Sequence, residues 1–444
     1  MIRRRHAAAL VLCLLGAAPG PAAAQVPSES PAPGLSTAAE RVYKSARPRL
    51  LQIRTILGNA GRQSSIGSGF LVSAQGLAVT NYHVVSQYAL EPGTYRLEYT
   101  AADGVRGMLK LLAFDIANDL AVVQLDRAAQ GFFEFDARAL RETPAKGERL
   151  YSMGNPLDLG FTIVEGTYNG TVERTYNERI HFSGAINPGM SGGPTVSAAS
   201  RIVGVNVAKR LDGELVSFLV PARFAAQLVE RAEGAAPLSA EAIKQEIGRQ
   251  LGTWQAGLYK ALDAESWRST ALGPYRALES PSAWFHCWAH TNANQVPKPR
   301  GTTHTTNCYT NTWLYVAGDL STGQIRATHT HVKSVDLNDF QFSALLTQHY
   351  QASGSSWSRK RHTRTRCHES FVEGDAAAGR PPMRAVWCAR AYREFEGLYD
   401  VSVLAVTQDS AQEALVTRVH MQGVAYDNAL ALARRFLDEV RVVR

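Results

Sequence analysis

The run Asn187-Pro188-Gly189-Met190-Ser191-Gly192-Gly193-Pro194 decides how this chain is read. A hydroxyl stands between glycines in a segment too rich in Gly and Pro for a helix or a regular strand. Glycine admits backbone conformations closed to other residues and lets a second backbone approach closely. By itself the run is ordinary loop chemistry. Its meaning comes from two patterns upstream. Gly67-Ser68-Gly69-Phe70-Leu71-Val72 leads into Thr80-Asn81-Tyr82-His83-Val84-Val85, and Asp119-Leu120-Ala121-Val122-Val123 follows. A His after a strand is more often structural, and Asp before an apolar strand is common turn chemistry. The three together, in the order His, Asp, Ser, form a candidate constellation of base, orienting acid and nucleophile.

The context suits it. From Leu50 to Val220 short apolar or β-branched runs alternate with Gly, Asn, Asp and Pro, as in Leu50–Ile56, Leu77–Thr80, Leu120–Leu125, Thr162–Tyr168 and Ile202–Val207. This spacing predicts an all-β domain of barrels or sandwiches. A serine hydroxyl is a weak nucleophile at neutral pH and needs a base to take its proton. His83 suits that task, Asp119 would fix its tautomer, and the backbone N–H groups of Gly189 and Ser191 would receive a developing oxyanion. The chain order is that of chymotrypsin and not the Ser, Asp, His order of α/β-hydrolases.

At this point the sequence resembles the HtrA/Deg-type trypsin-like serine proteases, over about residues 37–224. Met153-Gly154-Asn155-Pro156 with Leu159-Gly160 looks like the start of that family's second barrel, and Ala185-Ile186-Asn187-Pro188-Gly189 precedes the Ser as it does there. Ile202-Val203-Gly204-Val205-Asn206 and Phe218-Leu219-Val220-Pro221 resemble its last strands. The resemblance implies two six-stranded β-barrels of chymotrypsin-like type, His83 and Asp119 from the first and Ser191 from the second, acting on protein or peptide substrates through an acyl-enzyme without cofactor or metal. In chymotrypsin-like enzymes the residue six positions before the Ser lies at the base of the primary pocket. Here that residue is Ala185, with Lys209 on the strand expected at the pocket mouth, which predicts cleavage after small or medium apolar residues. Met190 stands where the family usually has Asn, and Ser183 where it usually has Asp. After Leu238 no PDZ-like pattern is found.

The remainder sets the surroundings. A length of 444 residues exceeds one core and implies two or three domains. Arg3, Arg4 and Arg5, the apolar Ala7–Ala18 and the small run Ala22-Ala23-Ala24 read as a signal peptide over residues 1–24, with a flexible leader at 25–36. Export to the periplasm or beyond follows, with no membrane span after its removal. Removal of those arginines takes the net charge from +8 to about +5, too weak a bias to imply nucleic acid. Thr37 and Glu40 form a T-x-x-E capping box opening a short helix, and the protease-like domain is placed at 37–232.

Ile243, Ile247, Leu251, Trp254, Leu258 and Leu262 mark an amphipathic helix inside a linker region, 233–283. Residues 284–444 read as a separate α+β domain with an antiparallel sheet, including strands at Arg361–Phe371 and Arg384–Tyr392. It holds the four remaining cysteines, and export favours disulfides. Cys287–Cys308 and Cys367–Cys388 close the two shortest loops, and the second pair falls on neighbouring strands. A zinc reading of Cys287, His290, His304 and Cys308 is the alternative. His329 and His331 share one strand face and read as solvated or core-edge residues. The basic run Arg359, Lys360, Arg361, Arg364 and Arg366 reads as a solvated loop and strand face. A rival to the enzyme reading is a non-catalytic scaffold whose C-terminal domain recognises an envelope or extracellular ligand; the intact Ser, His and Asp argue against it.

Overall fold

The computed structural model describes residues 36–209, 215–279, 282–351 and 358–443, so the signal-peptide and leader segments lie outside the described residues apart from Ser36. Helix α1 (Thr37–Ala46) packs Ala39, Val42 and Ala46 inward. Its N-cap is Ser36, whose Oγ accepts the N–H of Ala39, so the capping side chain lies one residue before the Thr37 read from sequence. Two neighbouring hydroxyl residues precede the acidic first turn, and Ser36 is the one that keeps the extended backbone a cap requires.

Six strands then close a barrel: β1 (Leu50–Leu57), β2 (Arg62–Leu71), β3 (Leu77–Thr80), β4 (Tyr95–Ala101), β5 (Arg106–Asp115) and β6 (Leu120–Leu125), ordered β1-β2-β3-β6-β5-β4. Helix α2 (Tyr82–Leu90) leaves it between β3 and β4. A second closed barrel follows: β7 (Arg149–Gly154), β8 (Thr162–Thr171), β9 (Ile180–Phe182), β10 (Pro194–Val196), β11 (Ile202–Lys209) and β12 (Ser217–Pro221). Closure leaves neither barrel with a free edge. Helix α3 (Ala222–Ala232) packs under both through Ala225, Leu228 and Val229.

Helix α4 (Ala240–Asp263) buries the stripe read from the sequence, including Ile243, Ile247, Leu251, Leu258 and Leu262. It covers the first barrel, where Gln250 accepts the N–H of Ile116 at 2.8 Å and donates to the Phe114 carbonyl at 2.8 Å. The ribbon β13 (Arg268–Leu272) and β14 (Tyr275–Glu279) precedes the main C-terminal sheet. That sheet has seven antiparallel strands; β15 (Phe285–Thr291), β16 (Gly301–Thr310), β19 (Ile325–Ser334), β20 (Arg366–Val372), β21 (Met383–Ala391), β22 (Tyr399–Thr407) and β23 (Glu413–Val424) run in the order β15-β16-β19-β23-β22-β21-β20. Between β16 and β19 a small hairpin, β17 (Leu314–Ala317) and β18 (Leu320–Thr322), turns away from the sheet. Helices α5 (Asp339–His349) and α6 (Tyr426–Asp438) and the short β24 (Arg441–Val442) complete the region.

The C-terminal region has its own sheets, yet it shares a core with the first barrel. Val84, Val85 and Phe114 lie in one continuous apolar cluster with Leu251 of α4, Val316 of the hairpin and Val419 of the main sheet. The aqueous alternative for these faces is unfavourable in proportion to the apolar area that the contact removes from water. The two parts are therefore packed as one body.

Candidate active site

Asp119 closes the turn before β6 with φ +59°, a left-handed conformation that Asp tolerates better than most residues. Its carbonyl accepts the N–H of Tyr82 at 3.1 Å and the amide of Asn81 at 2.7 Å. These bonds fix it beneath the first turn of α2. Its carboxylate then makes two bonds to one residue: Oδ1 accepts the backbone N–H of His83 at 2.8 Å, and Oδ2 lies 2.7 Å from His83 Nδ1. With Nδ1 donating to Asp119, Nε2 is the nitrogen left with a lone pair. The side-chain hydrogen bond of His83 among the described residues is the one from Nδ1, and the residue lines a large cavity. Burial pulls the His83 pKa down, but the charge of Asp119 and its hydrogen bond outweigh that, and the pKa is held above its ordinary 6.5.

Ser191 sits on the other barrel at the end of a turn fixed by backbone bonds. Met190 N–H donates to the Asn187 carbonyl at 2.9 Å, Gly193 N–H to the Met190 carbonyl at 3.0 Å, and Ser68 N–H to the Ser191 carbonyl at 2.8 Å. Gly192 has φ +83°, and a Cβ there would lie 2.3 Å from the Ser68 carbonyl oxygen. Only glycine fits, because the two barrels touch at that point. Gly189, at φ +94°, is similarly confined by the Asn155 carbonyl.

The carbonyl of Pro188 accepts the N–H of Leu157 at 3.0 Å. A trans peptide points its N–H opposite to its carbonyl, so this bond turns the Gly189 N–H away from Leu157. No acceptor takes the N–H of Gly189 or of Ser191 among the described residues. Ser68, from the Gly67-Ser68-Gly69 motif, joins the same frame: its Oγ donates to the Gly189 carbonyl at 2.7 Å and accepts the Asn155 N–H at 2.9 Å. The Ser191 hydroxyl itself donates to the Val207 carbonyl at 3.3 Å and not to His83.

Residues 67–205 match the trypsin-like peptidase domain family. Over these residues the two-barrel part of this chain is similar to trypsin-like peptidases, and the relatives it matches include proteases of HtrA/Deg type. Among the relatives it matches, "Protease Do-like 1, chloroplastic" of Arabidopsis thaliana is 31% identical over 150 residues, 32% of this chain and 33% of that one. "Probable periplasmic serine endoprotease DegP-like" of Bartonella henselae is 32% identical over 179 residues, 38% of this chain and 34% of that one. The chain thus spans about a third of the length of these curated relatives. Among solved structures, the serine endoprotease from Yersinia pestis aligns at 24% identity with TM-score 0.38, covering 46% of this chain and 70% of that one.

Ala185 is half-buried, and Ile186 behind it donates its N–H to Ser217 Oγ at 3.1 Å. Neither lines the large cavity, whereas Val207 and Phe218, read from the sequence only as strand residues, do. Lys209 is the last residue of β11, and its side chain lies outside the described residues. Met190 is fully buried in a cluster with Ile186 and Leu219.

Cys287 and Cys308 are bonded at 2.06 Å, and Cys367 and Cys388 at 2.07 Å, while His290 and His304 are exposed. His329 and His331, read as solvated or core-edge residues, are not solvated but buried, because the β13–β14 ribbon covers their face. His329 bonds the Leu278 carbonyl and Thr417, and burial lowers its pKa to about 4. The basic run is also not wholly solvated. Arg361 is buried between Asp319 and Glu394, with Nη1 at 2.6 Å from Glu394, and Lys360 pairs with Glu91 at the end of α2.

Proposed function

We propose that this protein is an exported serine endopeptidase acting in the periplasm or outside the cell, with His83, Asp119 and Ser191 as its triad. What supports the reading most is the arrangement of two free N–H groups, Gly189 and Ser191, at the Ser191 turn beside a cavity that His83 enters with Nε2 unpartnered. A peptide carbonyl bound at that turn gives its oxygen two donors. The Ser191 hydroxyl leaves Val207 for His83 Nε2, and its oxygen attacks the carbonyl carbon as Nε2 takes the proton. Asp119 stabilises the resulting imidazolium. The oxyanion collapses, the C–N bond breaks, and the amine leaves with the proton from Nε2. Water, deprotonated by the same nitrogen, then attacks the ester and releases the carboxylate with Ser191 restored.

The residues near the cleaved bond favour an apolar side chain on the acyl portion of the substrate. Ala185 carries no charge, Val207 and Phe218 line the cavity, and its only acidic lining residues among those described are Asp119, engaged with His83, and the exposed Glu173. A cationic side chain buried there would lack the partner it needs. Incubation of an unfolded protein with the full-length chain tests the reading. Wild type cleaves after Ala, Val or Leu, and Ser191→Ala loses on the order of 10⁶ in kcat. Equal cleavage by both proteins would contradict it.

A further inference from the structure

The cavity that His83 enters has a volume of about 1290 Å³, and six of its lining residues come from the C-terminal region: His286, Trp288, Tyr309, Asn311, Trp313 and Tyr315. The strands explain their placement. In the β15–β16 pair Cys287 stands opposite Cys308, His286 opposite Tyr309, and Trp288 opposite Asn307. Alternation along a strand sends the disulfide to one face and His286, Trp288 and Tyr309 to the other. Cys308 is buried in the shared core, so the aromatic face is the one turned to the cavity. Trp313 precedes β17, and Tyr315 within it sets its ring edge-on to that of His83, centroids 6.1 Å apart.

The hairpin is not a loose flap. Tyr82, the neighbour of His83, donates its buried hydroxyl to the Val316 carbonyl at 3.2 Å. Leu314, Val316 and Leu320 belong to the same apolar cluster as Val84 and Val85 of α2. The wall is thus fixed to the helix that carries the base. Yet Trp288 and Trp313 remain 65% and 55% exposed. Large aromatic surface left open beside a reactive centre marks a place for a ligand, and Trp offers broad, rigid contact at low entropic cost.

We propose, resting on the endopeptidase reading, that the C-terminal region forms one wall of the substrate cleft. Trp288 and Trp313 are its specificity-determining residues. They hold a bulky apolar or aromatic side chain of an extended polypeptide, within a few residues of the bond that Ser191 attacks. Folded proteins are poor substrates on this account, because an extended segment must lie between the barrels and the wall.

The test uses full-length protein, a peptide library and a fluorophosphonate probe. Wild type favours peptides with Trp, Phe, Tyr or Leu near the cleaved bond. In the double variant Trp288→Ala/Trp313→Ala that preference flattens. For such peptides the ratio of kcat/KM to the probe labelling rate falls about tenfold or more, chiefly through KM. In parallel, Ser191→Ala protein binds an uncleaved aromatic peptide, and adding the two Trp changes weakens binding about tenfold. An unchanged preference and ratio in variants that still label would overturn the wall while leaving the endopeptidase standing. Wild type that neither labels nor cleaves would overturn both readings, unless the Ser191→Ala protein still binds aromatic peptides through the two Trp residues, which would keep the wall and remove only the chemistry.

Discussion

The two halves of this molecule hold their strands in different ways. The barrels are closed, contain no cysteine, and meet at a turn where glycine is required by contact with Ser68. The C-terminal sheet is open, and each disulfide ties one of its two edge strands to the next strand inward: Cys287–Cys308 joins β15 to β16, and Cys367–Cys388 joins β20 to β21. Strand β20 has every residue exposed, so no apolar burial secures it. Where burial cannot fix an edge, a covalent link does. The division carries into function. The barrels bear the groups assigned to bond-breaking, and the C-terminal region bears the groups assigned to holding substrate, so changes in the first should act on kcat and in the second on KM.

After Ser191→Ala, the largest effect expected from this division is that of Asp119→Asn. It leaves the fold intact, removes the charge and the correct tautomer, and lowers kcat by on the order of 10⁴. The pH profile moves with it. His83 must be neutral to accept a proton, so activity is lost as pH falls through its pKa, which in wild type lies above 6.5 because of Asp119. The acidic limb of the wild-type kcat/KM profile therefore has its midpoint above 6.5, and in Asp119→Asn that midpoint moves down. A limb unmoved by the substitution would break the assignment of His83 and Asp119 as a pair.

A middle-sized effect separates the halves by their crosslinks. Cys287→Ser/Cys308→Ser removes the link behind Trp288 and Tyr309. Loss of a disulfide costs about 2–4 kcal/mol of stability, read by denaturant unfolding. KM for aromatic peptides rises with it, while kcat changes little. The smallest effect is that of Cys367→Ser/Cys388→Ser, which frees β20 at the far edge. Hydrogen exchange rises in Arg366–Val372 and peptide hydrolysis stays within twofold of wild type. A large loss of hydrolysis from this second pair would show that the edges are not independent.

The barrels, and the candidate triad on them, could be read because their signals are local. Apolar strands cut by glycine, a His at the start of α2, and a Ser among glycines are each read from a run of a few residues. The C-terminal region was less so. Strand β16, Gly-Thr-Thr-His-Thr-Thr-Asn-Cys-Tyr-Thr, lacks apolar alternation, yet its threonines favour strand geometry and bond across to the next strand, as Thr305 does to Thr330 at 3.1 Å. The burial of Arg361 depends on Asp319 and Glu394, each more than thirty residues away in sequence, and nothing near Arg361 announces them. Tyr315 beside His83 is a contact of the same kind. Such pairings arise only when the two halves pack.

The most direct measurement of the central claim is mass spectrometry of the full-length protein after treatment with a fluorophosphonate. A single adduct on the peptide containing Ser191, absent from Ser191→Ala and formed far more slowly in His83→Ala, is the predicted result. Wild-type protein without an adduct, or with the adduct on another residue, would contradict the claim that Ser191 is the nucleophile served by His83 and Asp119.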